Sequence, residues 1–324
     1  MECEHKGMMS ALSLVAAPIS ARNYSLKRTD LKDIFNTAVI YVFCRRSLLK
    51  FDGVVEKSKR EICFDIVNDD GSKRVFTELY LDEACSEFVF NSHSLDSEEK
   101  HELFIKREDG HSVSLSPEDI LWGKGLNGVN VDIRGDVKEL LSFEVLYVGE
   151  TVDQGVGDRL GSHHALLKIF MNEEIVKNYD KSHEIFILAF KNNNFDAETY
   201  ACYPDKPIKP TGTKVSALDI EQAFINLFDG KYNEIKYKDF PDGNDLLEKG
   251  SYNTIIYAIN ENIILNSNNI HFVGDAGELF SDKNAYSFLM IKKRNMIVYY
   301  PHRNMQATIK SDGKFVPYVE TRMK

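Results

Sequence analysis

At 324 residues with 43% hydrophobic content, the chain holds enough apolar material for two or three ordinary domains. Its net charge of −10 counts against a protein that coats nucleic acid nonspecifically. Five widely spaced cysteines with no CxxC pair, Cys3, Cys44, Cys63, Cys85 and Cys202, suggest neither a disulfide framework nor a zinc knuckle, and so favour a reducing cytoplasm.

Met8 to Ala21 is mildly apolar but follows Glu2 and Glu4 rather than a basic segment, which argues against a signal peptide. No run of about 18 apolar residues marks a membrane helix. From Asp30 a helix pattern through Leu31, Ile34, Phe35 and Ala38 leads into the apolar run Val39 to Phe43, whose period fits helix or strand equally. Glu61 to Val67 and Lys73 to Leu81 flank the turn residues Asn68 to Gly71 and predict a hairpin. A second hairpin is expected between His101 to Arg107 and Ser112 to Leu115 across Glu108-Asp109-Gly110. Ser116-Pro117-Glu118-Asp119 then starts a helix, with proline in its first turn.

Gly123, Gly125 and Gly128 mark a boundary, beyond which strands are expected near Val129 to Ile133 and Phe143 to Val148. Asp158 to Phe170 reads as a helix with Arg159, His163, Leu166 and Phe170 on one arc, Leu160 and Leu167 beside it, and Gly161, Ala165 and Lys168 opposite. An inward guanidinium is costly to bury without an anion or a polar cavity, so this placement suggests a site. His164 is about 100° from His163 on the wheel, so the two rings do not face one ion. Glu184 to Phe190 is a further strand, and Asn192 to Gly212 reads as an insertion rich in Asn, Pro and Lys. Ser216 and Asp219 resemble a capping box for a helix from Ala217 to Asp229, stopped by Gly230. Glu221 lies among its apolar residues, whereas Asp219, Gln222 and Asn226 take the other side. A lone inward carboxylate calls for a metal or a cation.

Past Pro241, Asp242 to Asp245 mark a second boundary, followed by β-like runs at Thr254 to Leu265, Ile270 to Val273, Ser287 to Ile291 and Met296 to Tyr300. Ile291 to Lys324 carries eight Lys or Arg against Asp312 and Glu320. Its Lys292-Lys293-Arg294 and Tyr299-Tyr300-Pro301-His302-Arg303 mix cations with aromatics, as nucleic-acid surfaces do. Lys292, Lys293, Arg294 and Arg303 are the candidate nucleic-acid contacts; a solvated strand edge kept from aggregating is the alternative.

Tyr147-Val148-Gly149, Arg159 with His163 four residues on, and Glu221 followed at twelve residues by Asn233 together resemble the GIY-YIG nucleases over about residues 129 to 241. The resemblance implies a metal-dependent endonuclease that hydrolyses DNA phosphodiesters, with a place in restriction or anti-phage defence. Its implied catalytic set is Tyr147, Arg159, His163, Glu221 and Asn233, with Glu221 as ligand of Mg²⁺ or Mn²⁺. The alternatives are an RNA-cleaving effector and a noncatalytic DNA- or partner-binding module. The first tyrosine of the family motif has no candidate, because no tyrosine occurs between Tyr80 and Tyr147. The expected fold is α+β: a small GIY-YIG-like α/β core at 123–241, between a β-rich domain at 1–122 and a β-rich, basic-ended region at 242–324. A membrane is not expected as a partner.

Overall fold

The computed structural model describes residues 6–21, 33–90, 100–107, 109–122, 128–151, 164–175, 183–198, 213–237, 239–242, 252–268, 270–276, 286–292, 295–300, 305–309 and 315–319. The chain opens with β1 (Lys6–Leu14), the short β2 (Ile19–Ser20) and β3 (Ile40–Ser47). Next come β4 (Leu49–Ser58), β5 (Glu61–Asn68), β6 (Arg74–Leu81), β7 (Phe88–Val89), β8 (Leu103–Arg107), β9 (Ser112–Leu115) and β10 (Val129–Arg134). They are followed by β11 (Ser142–Glu150) and the long β12 (His183–Glu198). The last group is β13 (Thr254–Ile259), β14 (Ile264–Asn266), β15 (His271–Val273), β16 (Phe288–Lys292), β17 (Asn295–Tyr300), β18 (Met305–Ile309) and β19 (Phe315–Val319). The helices are α1 (Pro117–Trp122), α2 (Val137–Leu140), α3 (His164–Ile169), which runs on into a π-helical turn at Phe170–Ile175, and α4 (Thr213–Phe228).

Strands dominate, and the expected α+β arrangement of a small α/β core between flanking β-rich domains is overturned. Among the described residues one large curled mixed sheet runs β15-β14-β11-β3-β12-β1-β13-β16-β17-β18-β19, with β2 added beside β12. It therefore draws strands from the beginning, middle and end of the chain. β1 and β13 pair in parallel, as do β11 and β14, and the remaining neighbours are antiparallel. The physical reason is β1 and β3: apolar runs so early in the sequence look like part of a separate domain, yet they bond along most of β12. Leu12, opposite Asn192, shows that the first part of the expected Asn192 to Gly212 insertion is strand.

Alternation on β3 sorts the two faces of the sheet. Ile40, Val42 and Cys44 join the main core with α4, whereas Tyr41 and Phe43 join a second cluster with Leu146, Ile169, Ile185, Ile187 and Tyr232. In the main core Phe224 and Phe228 of α4 pack edge to face at 5.5 Å and both reach Phe272 of β15. Fully burying each such ring is worth about 1.5–3 kcal/mol, so apolar packing rather than capping holds α4 in place.

Between β3 and β11 the chain leaves this sheet and builds two smaller ones, β10-β6-β5-β4 and β7-β8-β9. Both hairpins expected from turn chemistry are present, with Gly71 and Gly110 at φ of +71° and +93°. α1 starts as the sequence indicated: Ser116 N–H donates to Asp119 Oδ2 at 3.0 Å and Asp119 N–H donates to Ser116 Oγ at 3.2 Å. The strand at Val129 to Ile133, expected in one core with Phe143 to Val148, pairs instead with β6 outside the large sheet. A buried ion pair joins the inserted part to the large sheet: Arg46 donates to Glu118 of α1, and its guanidinium lies 4.4 Å over the Phe186 ring and 5.2 Å from that of Phe143.

Candidate functional site

β11 ends in the Tyr147-Val148-Gly149-Glu150 segment, and the chain after α4 folds back onto it. Val148 N–H donates to Asn233 Oδ1 at 3.0 Å, and Asn233 Nδ2 donates to Val148 C=O at 2.8 Å. Tyr232 N–H donates to Leu146 C=O at 3.0 Å. Both ends of a buried amide thus act as a short extra strand beside β11. Gly230 makes this approach feasible, since a Cβ there would lie 2.6 Å from Asn233 Oδ1 and 2.9 Å from Leu146 O. It does not supply the left-handed residue that ends α4; Asp229 does, at φ +47°.

At the middle of α4, Glu221 is buried at 8% exposure, and its Oε1 accepts from Glu150 N–H at 3.2 Å. The Glu221 to Asn233 block and the Tyr147 to Glu150 block, some seventy residues apart in sequence, therefore meet. Tyr147 is half-buried and lies 5.7 Å from the Phe43 ring and 6.0 Å from that of Tyr41. Tyr41 is fully buried, and in the β3–β11 register it faces Gly149, where a Cβ would stand 2.5 Å from its hydroxyl. Glycine is needed here for the ring to cross the strand. Tyr237 completes the group; burial first, then the carboxylates of Glu221 and Glu150 and the phenol of Tyr147, push its hydroxyl above the usual tyrosine range.

Sequence reasoning missed Tyr41. The run Val39 to Phe43 fits helix or strand equally by period, and nothing in the local pattern says that β3 pairs with a strand about a hundred residues away. Arg159 and His163 lie outside the described residues, as do Lys293, Arg294 and Arg303. Lys292 is exposed at the end of β16, remote in sheet order from β11.

The helix expected to carry Arg159 shows its visible part in α3 and the π turn. Ile169 and Glu173 face inward, and Leu167 is 65% exposed, against the expected apolar arc. Glu173 explains the rotation, because its carboxylate accepts from Arg45 at 3.0 Å, Lys231 at 2.6 Å and the Tyr232 hydroxyl at 2.7 Å. Lys168, read as an outward residue, bridges Glu234 at 3.2 Å. Lys231 and Lys236 are engaged by Glu173 and Asp229.

Among the described residues no group of three or more His, Cys, Asp and Glu side chains converges as a metal cage. Glu221 offers one carboxylate, whose Oε1 accepts from the Glu150 backbone N–H; a single carboxylate with water filling the other positions is a hard-oxygen set that Mg²⁺, which dehydrates reluctantly, can use. No protein-family model, curated protein or solved structure matches the chain. No helix among the described residues is long and apolar enough to cross a membrane.

Proposed function

We propose that the chain is a metal-dependent nuclease whose reaction centre lies at the end of β11. The observation that carries this reading is the meeting of the Tyr147-Val148-Gly149 and Glu221 to Asn233 blocks through hydrogen bonds to Val148 and Glu150. Ile40-Tyr41 adds to the GIY-YIG resemblance, as the missing tyrosine strand, with the two small sheets inserted between it and Tyr147.

Phosphodiester hydrolysis needs an attacking water, stabilisation of the charge that builds on the phosphorane, and an exit for the leaving oxygen. Glu221 would hold Mg²⁺ or Mn²⁺, with Glu150 beside it; when bound, such an ion stabilises that charge and the leaving oxygen. Tyr147 orients the water. Tyr41, fully buried, positions the Tyr147 ring rather than meeting substrate. Asn233 fixes the backbone from which Tyr147 projects. Arg159 supplies permanent charge to the scissile phosphate and His163 takes or orients the water proton, as the resemblance implies. DNA is the substrate of this reading, in a reducing cytoplasm.

Incubating the full chain with plasmid DNA and with RNA, each in Mg²⁺ or EDTA, tests it. Mg²⁺-dependent cutting of plasmid is expected. RNA cutting alone would move the assignment to an RNA-cleaving effector, and binding without cutting of either would leave a noncatalytic module.

A further inference from the structure

Tyr237 sits four residues after Asn233 with φ at +40°, in the left-handed region that residues with a β-carbon rarely adopt. The helix is already ended by Asp229, so this conformation is not a cap. Two hydrogen bonds maintain it. Asn226 Nδ2 donates to Tyr237 C=O at 2.9 Å, and Phe240 N–H donates to the same oxygen at 2.9 Å. Asn226 belongs to α4, five residues beyond Glu221, so the helix that presents the carboxylate also fixes the tyrosine backbone. The ring rests half-buried against the main core, near Glu221, Glu150 and Tyr147. Strain of this kind persists where surrounding structure enforces it, and it clusters at sites that bind or react.

A phosphodiester arriving at this point meets the negative charge of Glu221 and Glu150. A neutral hydroxyl that donates a hydrogen bond offsets that repulsion without competing for a cation, and a phenol carries its proton throughout the neutral range. We propose that Tyr237 is a substrate-contacting residue, whose hydroxyl donates a hydrogen bond to a phosphate oxygen of the nucleic-acid backbone seated beside Glu221. This rests on the phosphodiester reading of the site, but it is a statement about binding.

The test is fluorescence anisotropy of a labelled DNA duplex titrated with the full chain in Ca²⁺, for wild type, Tyr237→Phe and Asn226→Ala, with the melting temperature of each. Tyr237→Phe keeps the ring and removes the donor, so affinity is expected to fall about tenfold at an unchanged melting temperature, the scale of one hydrogen bond to a charged group. Asn226→Ala, which releases the carbonyl, should weaken binding in the same direction. Wild-type affinity in Tyr237→Phe would overturn the contact, as would a loss matched by a fall in melting temperature, or a wild type that does not bind the duplex. A wild type that binds, shows the Tyr237→Phe loss and leaves the duplex intact in Mg²⁺ would defeat the nuclease reading and uphold the contact.

Discussion

Asn233 uses both ends of its amide on Val148, and neither backbone group of Val148 has water within reach, since Val148 is fully buried. Replacing it by alanine leaves a buried N–H and a buried C=O without these partners, a loss of about 2–4 kcal/mol. Urea unfolding of Asn233→Ala should show that drop; a change under about 0.5 kcal/mol would mean that the amide does not hold β11. Gly149 gives a second residue-scale expectation. Alanine there would place its Cβ 2.5 Å from the Tyr41 ring, costing about 1–3 kcal/mol through overpacking. Trimming the partner should relieve it, so Gly149→Ala with Tyr41→Leu should cost less than the sum of the two single changes. Strict additivity would show that the two residues do not press on one another.

At the scale of elements, α4 is the support on which Glu221 rests. Phe224 lies about one turn beyond Glu221, against Phe228 and Phe272, and Phe224→Ala should lower stability by about 3–5 kcal/mol. A loss under 1 kcal/mol in a thermal or urea melt would place the anchor of the helix elsewhere. The apolar arc of α4 was legible on the wheel, including inward Glu221. Its opposite side was not: Asp219 is buried and accepts from the Tyr257 hydroxyl of β13, and Asn226 holds Tyr237. A wheel registers the face that packs on one layer, but α4 is met from a second side by chain that comes later in sequence. The same limit explains α3, where the triple grip on Glu173 turns inward a face that hydrophobicity alone leaves outside.

For the whole molecule, hairpins and the α1 start were readable because their turn residues are local. The large sheet was not, because β1, β3, β11 and β13 owe their partners to residues up to about two hundred and fifty positions away. For the same reason the local pattern around Tyr41 does not place it beside Gly149 and Tyr147. The inserted small sheets share the main apolar core with the large sheet and also meet it at a pair whose separation would strand a charge: Arg46→Met alone should destabilise by about 3–5 kcal/mol, whereas Arg46→Met with Glu118→Leu should recover most of it. A double variant as unstable as the single would show that the pair does more than compensate its own burial. The basic C-terminal segment belongs to this scale too. Replacing Lys292, Lys293 and Arg294 by Ser should weaken DNA binding and flatten its dependence on salt without abolishing cutting; identical binding across a salt series would remove that role.

The most direct measurement is plasmid cleavage by Glu221→Gln in Mg²⁺ beside wild type, with DNA affinity and melting temperature recorded on the same samples. Glutamine keeps the shape of the side chain and an oxygen that can still accept from Glu150 N–H, while removing the charge that attracts a hard cation. The site assigned here predicts a folded protein that binds DNA and leaves it uncut, in contrast to a wild type that cuts. A Glu221→Gln protein that still cuts in a Mg²⁺-dependent way would contradict it.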